Sequence, residues 1–302
     1  MIKAIIVICL LTFTTLDSFS RQSDFPNLTG PYLGQKPPGK TPEYFASGII
    51  TVDENFEHSA AVFSPDGSEV FWCTNVDFYT DKRIVGNLRL YSMKIVDGKW
   101  TAPYIAPFTK DIRVERPVFS PDGSKLYIEF GSDPTNIDSD SDIYVVERTG
   151  EGWSEPSPVS PLINSPAYER LHCVTADGSL YFTRNLMTRN EEIYVSRYIN
   201  GEFAEPEELN ENYNSADYEI AISIASDESY MLIWQTNAEH DSKLTVTYKQ
   251  NDGSWSDRIE APYYCGGFLA LSPDENYLFF ENEGICWVST SFIDELKPKN
   301  LK

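Results

Sequence analysis

Along most of its length the chain alternates apolar and polar residues with a period of two, in short runs separated by turns. That pattern predicts half-buried β-strands, and no stretch shows a helical period. The runs come in sets. A short apolar segment such as 60–63 or 268–271 leads into a polar corner, and the corner leads into a run rich in aromatic and β-branched residues: 69–73, 125–130, 180–183, 230–234 and 277–280. The corner is Phe63-Ser64-Pro65-Asp66-Gly67, repeated as Phe119-Ser120-Pro121-Asp122-Gly123. It returns more loosely as Val174-Thr175-Ala176-Asp177-Gly178, Ile224-Ala225-Ser226-Asp227-Glu228 and Leu271-Ser272-Pro273-Asp274-Glu275. Proline sets φ at its second position, and Asp and Gly accept the bridging or positive φ at its end, so each corner joins two strands as a hairpin. The five aspartates are separated by 56, 55, 50 and 47 residues. Five copies of one unit therefore fill the chain.

Each unit continues with a third strand, at 88–95, 142–147, 192–198, 243–248 and 285–289. A fourth is predicted after a second glycine turn, at 97–100, 150–153, 200–203 and 252–255. Four antiparallel strands in about 50 residues make a propeller blade, so the predicted fold is all-β, a five-bladed β-propeller. The fifth unit lacks a fourth strand, and a strand-like piece at 43–51 precedes the first unit. That piece is expected to complete the last blade and close the ring, leaving no open edge. The blades then span 52–104, 105–156, 157–206, 207–257 and 258–292 with 43–51, inside a propeller of 43–293 followed by a tail at 294–302.

These residues resemble a known family. The corner with its aromatic strand, the strands Asp142-Ile143-Tyr144 and Glu192-Ile193-Tyr194, and Trp153-Ser154-Glu155-Pro156 resemble the WD40-like, or PD40, repeats of TolB-type propellers. The segment Gly30-Pro31-Tyr32-Leu33-Gly34-Gln35, continuing to Thr41-Pro42-Glu43, is similar to the start of exported bacterial PD40 proteins. The resemblance covers nearly the whole chain after residue 20 and speaks to fold more than activity, because the repeated residues build turns and core. The third and fourth units depart from it by lacking the proline before Asp, which leaves the shape of those two corners open.

Composition narrows the function. With 46 Asp and Glu against 24 Lys and Arg, the formal charge is −22. Nucleic-acid binding needs a basic face, which no run supplies, and anionic membrane surfaces are disfavoured for the same reason. The 14% aromatic content excludes a disordered acidic chain. Met1-Ile2-Lys3, the apolar stretch 4–13 and Ser18-Phe19-Ser20 read as a signal peptide of residues 1–20, with no membrane span, so a periplasmic or extracellular location is expected. Residues 21–42, with Pro26, Pro31, Pro37, Pro38 and Pro42, read as an extended leader. Of the remaining cysteines, Cys73, Cys173, Cys265 and Cys286, all flank apolar strand positions. Buried free thiols are expected, with Cys265 and Cys286 as the pairing to test.

In a propeller the loops entering the inner strands converge on one mouth of the central channel. Those positions hold Glu57, His58, Glu115, Arg116, Glu169, Arg170 and Glu219, and in the fifth unit Gly266 and Gly267. Carboxylates gathered there would raise one another's pKa unless cations intervene, and Arg116 and Arg170, or a metal ion, could serve. A ligand site at the mouth is one reading; salt bridges that tie blades together are the other. Asp138, Asp140 and Asp142 form the D-x-D-x-D opening of a calcium loop, but Ile143 stands where glycine should be and Thr149 where the bidentate Glu should be. A solvated acidic loop is favoured there and no other cofactor is expected. His58, His172 and His240 fall in different parts of their units, which disfavours a histidine metal site. Phe78, Tyr79 and Trp234 could stack on a sugar, against a core role. Neither a sialidase Asp box, a Ser nucleophile elbow, a P-loop nor a dinucleotide fingerprint is present.

Two functions remain. The first is a monomeric, non-catalytic binding module with a carbohydrate or envelope protein as partner. The second is a polysaccharide hydrolase or lyase with Glu115, Glu169 and Glu219 as acid and base, which would need two carboxylates about 5 to 10 Å apart across the scissile bond.

Overall fold

The computed structural model describes residues 25–51, 59–77, 82–83, 88–109, 113–131, 141–150, 152–185, 191–209, 218–236 and 242–301. The inner strands are Val62–Phe63, Val114–Phe119, Tyr168–Val174, Tyr218–Ile224 and Ala270–Leu271. Through the corners they pair with Glu69–Thr74, Lys125–Gly131, Leu180–Asn185, Tyr230–Thr236 and Tyr277–Glu281. The third strands are Arg89–Val96, Ser141–Thr149, Glu191–Ser196, Ser242–Tyr248 and Ile285–Ser289. All pairings within these sheets are antiparallel, and the five sheets form a five-bladed β-propeller.

Ring closure agrees with the sequence expectation. Glu43–Tyr44 is the outer strand of the fifth blade, with Glu43 opposite Trp287 and Tyr44 opposite Cys286. The next residue, Phe45, donates its N–H to the Ile285 carbonyl at 2.7 Å and is wholly buried. The chain before it adds a wedge between the first and last blades. The Tyr32 ring lies 5.1 Å from Phe63 and 5.3 Å from Tyr277, and its hydroxyl donates to Asp274. Beyond the last blade, Ser291–Leu296 forms a short helix whose Phe292 and Ile293 are buried.

The fourth strands differ from expectation. The Gly-Trp segments pair only with the far end of each hairpin, and the outer strands proper begin a few residues later, at Tyr104–Ile105, Ser157–Pro158, Glu207–Glu208 and Ile259–Glu260. Between the two halves the register slips by one residue. Ile95 faces Trp100 but Ser92 faces Tyr104; Arg148 faces Trp153 but Val145 faces Ser157. A slip of this kind leaves a strand N–H without its ladder partner. The residue after the Trp supplies one: Thr101 Oγ1, Ser154 Oγ and Ser256 Oγ accept the N–H groups of Lys94, Glu147 and Tyr248 at 3.2, 3.0 and 3.1 Å. This is the physical content of the W-S-x-P pattern.

The five corners share one shape, including the two without proline. Gly67, Gly123 and Gly178 have φ of 69°, 70° and 87°, and Glu228 and Glu275 hold the same left-handed backbone at 59° and 57°. Proline has no N–H to give. Where it is missing, the freed donors tie neighbouring blades: Ala176 N–H bonds the Ser226 carbonyl at 2.8 Å, and Ser226 N–H bonds Glu275 Oε1 at 2.8 Å. Glu228 likewise accepts from Tyr181 Oη of the preceding blade at 2.8 Å and from Arg197.

Corner aspartates carry a pH consequence. The Ser64 and Ser120 hydroxyls, then the N–H groups two residues on, hold Asp66 and Asp122 below the usual carboxylate range, Asp122 at about 2. Asp227 is lowered by Ser229, while in Asp177 and Asp274 partial burial opposes the hydroxyl bonds without outweighing them. A carboxyl depressed in the fold stabilises it above the unfolded pKa near 4, and that stabilisation disappears as pH falls through the folded value. Thermal melts of the protein are therefore expected to drop steeply from pH 4 to pH 2. The drop should be shallower in Asp122→Asn; equal slopes would contradict this account.

Cys73, Cys173, Cys265 and Cys286 are all buried and free, so no Cys265–Cys286 bridge forms. Burial pushes the Cys73 and Cys173 thiols up, against hydrogen bonds from the Arg116 and Ile224 N–H groups of the next blade. Among the described residues no helix is long and apolar enough to cross a membrane. The signal-peptide reading of residues 1–20 lies outside the described residues, as do Glu57, His58, Phe78, Tyr79, Asp138, Asp140 and His240.

Candidate functional site

The inner strands of all five blades enclose a central cavity of about 350 Å³. At one end it is ringed by the corners, through Pro65, Pro121, Ala176, Ser226 and Pro273. Its walls are largely apolar, with Val62, Val118, Leu171, Ile224 and Leu269 among them. At the other end stand Arg116, His172 and Phe268. Among the described residues lining the cavity the charged side chains are Arg116 and Glu275, and Glu275 is already engaged by Ser226 N–H and, at 3.4 Å, by Tyr230 Oη.

Arg116 and Phe268 hold the same place in their units, six residues before the corner aspartate. Both carry left-handed backbone, at φ 49° and 62°. That conformation is costly for residues with a Cβ, by about 1 kcal/mol or more, and persists where surrounding contacts impose it. The Arg116 guanidinium carbon lies 4.3 Å from the centre of the Phe268 ring. Blades two and five are not ring neighbours, so this cation–π contact spans the channel. On its other side Arg116 is 3.4 Å, through Nε, from Oε2 of Glu129, and the two are 9% and 3% exposed.

The other mouth candidates are held in different surroundings. Arg113 donates to Glu115 Oε1, through Nε at 3.0 Å. Glu169 is wholly buried and accepts from Ser165 Oγ at 2.5 Å, Ser165 N–H at 3.2 Å and Arg184 Nε at 2.9 Å. Burial raises the Glu169 carboxyl, and the Ser165 and Arg184 bonds work against that rise. Glu219 lies opposite Gln235 on the fourth inner strand, and Arg170 opposite Thr183 on the third. Neither Glu115 nor Glu169 lines the cavity, whereas Arg116 does. Asp142 pairs in register with Phe130 on a strand, and among the described residues no three metal-ligating side chains gather. Trp234 spends its indole N–H on the Cys265 carbonyl at 2.7 Å.

From the sequence His172 is legible only as a strand histidine. It is the extra residue of a bulge, since Leu171 faces Phe182 and Cys173 faces Tyr181, and this turns its ring toward the cavity. It is 8% exposed, with Nε2 at 3.1 Å from Thr183 Oγ1. Burial, then the charges of Arg116 and Arg170, hold its pKa well below the ordinary histidine value, so the ring is neutral at physiological pH. An inner-strand position is the signal that points to it; the bulge itself leaves none in a single sequence.

The propeller geometry is shared with solved structures. TolB from Acinetobacter baumannii matches 77% of this chain at a TM-score of 0.50 and 15% identity. The putative TolB from Agrobacterium tumefaciens matches 74% at 0.50 and 17%. The fold is that of the TolB propellers. This chain spans about half of the first TolB chain, 52%, and 69% of the second. No protein-family model matches the sequence, and no curated protein matches it. The TolB-type resemblance read from the S-P-D-G corners thus holds at the level of fold.

Proposed function

We propose that the protein is an exported, non-catalytic binding module that takes a cell-envelope component into its central cavity. The supporting observation is the division of labour among its polar groups. Strands from all five blades converge on one cavity, while Glu115 and Glu169 are spent on Arg113, Ser165 and Arg184 away from it. A glycosidase needs two carboxylates facing each other across the substrate. The sole carboxylate among the described lining residues, Glu275, is bound at the corner rim. Apolar walls also favour a ligand with an apolar body over a hydroxyl-rich sugar, whose buried hydroxyls would find few partners.

Ser223, 4% exposed on the cavity wall, provides the test. Leucine there fills part of the space without adding charge. Lipids and glycans prepared from cell envelopes are to be titrated into the mature protein and into Ser223→Leu, with circular dichroism to establish equal folding. At least one class should bind the wild type and be lost, by tenfold or more in Kd, from the variant. Binding that survives Ser223→Leu unchanged places the site elsewhere.

A further inference from the structure

Most polar groups on the cavity wall are already matched within the protein. Ser120 and Ser272 give their hydroxyls to Asp122 and Asp274 at 2.7 and 2.6 Å, and Ser226 is exposed at the rim. Glu275 takes Ser226 N–H and Tyr230 Oη, while Arg116 is faced by Glu129 at 3.4 Å and by the Phe268 ring at 4.3 Å. Three groups deeper in the wall are left open among the described residues, and all three are neutral. Ser223, 4% exposed, has no partner for its hydroxyl. His172, 8% exposed, spends Nε2 on Thr183 and leaves Nδ1 without a partner. Ser59, 2% exposed, accepts Cys73 N–H at 2.6 Å and keeps its own proton to donate.

Resting on the reading of the cavity as the ligand site, we propose that its ligand is an uncharged, chiefly apolar alcohol or phenol whose hydroxyl is held by Ser223 and His172. A polar group buried without a partner costs free energy that a ligand can return. The two residues lie side by side, because the Cys173 thiol accepts the Ile224 N–H across the seam between blades three and four, and His172 and Ser223 are the residues just before that pair. A hydroxyl both gives and takes a hydrogen bond, so it suits the serine and the imidazole in either tautomer. Ser223 stands four residues before its corner aspartate, where the first two blades carry Val62 and Val118. The polar pair is thus set in an apolar belt that takes the body of the ligand.

Charge is excluded in two stages. Pro65, Pro121 and Pro273 at the rim are each followed by a corner aspartate, and Asp66, Asp122 and Asp274 are held below the usual carboxylate range. An anion entering past the corners therefore meets ionised carboxylates. A cation that passes them meets the Arg116 charge and no free carboxylate among the described lining residues. An ion of either sign gives up its water with no unmatched counter-charge to replace it.

The test titrates the mature protein by calorimetry, at neutral pH, with four probes of nearly equal shape: 2-phenylethanol, ethylbenzene, phenylacetate and phenethylammonium. The alcohol should bind at least tenfold more tightly than either ion and at least threefold more tightly than ethylbenzene. Ser223→Ala and His172→Phe, each with folding established by circular dichroism, should bring the alcohol and ethylbenzene within about twofold of each other. Either ion binding as tightly as the alcohol, an alcohol no tighter than ethylbenzene, no binding of the alcohol, or an unchanged advantage in either folded variant overturns the assignment. Ser223→Leu separates those outcomes from failure of the cavity itself. If it abolishes binding of whichever probes bind the wild type, the cavity is the site and only the hydroxyl assignment has failed; if they bind it unchanged, the cavity reading fails as well. Where no probe binds, the titration of envelope fractions into wild type and Ser223→Leu still decides the cavity reading.

Discussion

Glu169→Ala is expected to lower the stability of the fold by about 3 kcal/mol, which makes this residue a structural strut whatever the protein binds. The carboxylate is wholly buried and gathers Ser165 Oγ, Ser165 N–H and Arg184 Nε. Removing it strands the Arg184 guanidinium, only 16% exposed, beside a new void. The expected loss sits at the low end for a broken buried pair because Arg184 retains the Ile163 carbonyl at 2.7 Å and the faces of Phe182 and Tyr194. Glu169→Gln keeps the volume and an acceptor for Ser165, so it should cost roughly half as much. Urea unfolding of the two variants measures both. A stable Glu169→Ala protein that lost hydrolysis of a polysaccharide would instead favour the enzyme reading.

Phe45→Ala should be at least as damaging, at about 3 to 5 kcal/mol. Phe45 comes directly after the two-residue strand that closes the ring. It fills the seam between the first and last blades, 5.0 Å from Phe279, 5.1 Å from Trp287 and 5.8 Å from Phe63. A void there removes edge-to-face aromatic contacts along with the apolar burial. Because the seam joins the two ends of the propeller, the loss should appear as a lower midpoint for the whole unfolding transition, not as fraying of one blade. Tyr44→Ala, at a half-exposed neighbour, is the control and should cost under about 1 kcal/mol. A Phe45→Ala midpoint matching that control would mean that the ring closes without this strand.

Much of the fold is legible in the sequence, for identifiable reasons. The strands and the S-P-D-G corners depend on residues near one another in sequence: a period of two, a proline with fixed φ, an aspartate capping its own turn; the closing strand follows from the count, since the fifth unit is one strand short and a spare strand precedes the first. The loose corners at Asp227 and Asp274 read as imperfect copies, yet Glu228 and Glu275 adopt the glycine backbone and reach to the preceding blade. Nothing local signals those ties, because their partners are about 50 residues away. The same holds for the interrupted outer strand, which is a register slip between two strands and has no counterpart in either one alone.

The mouth residues show where the boundary lies. Their sequence positions placed Glu115, Arg116, Glu169 and Arg170 just ahead of the inner strands, whereas the structure has them within the strands Val114–Phe119 and Tyr168–Val174. Which way each side chain points was decided by bulges at Arg116 and His172, since one extra residue moves its successors in the strand to the opposite face of the sheet. Sequence by itself determined five units, their antiparallel strands, the closure by the N-terminal strand and the acidic composition, because each arises from local pattern, composition or the count of strands per unit. Only the tertiary structure decided that Arg116 and His172 face the cavity while Glu115 and Glu169 are bound away from it. That outcome depends on register between strands and on packing across the channel, two relations that a linear pattern does not carry.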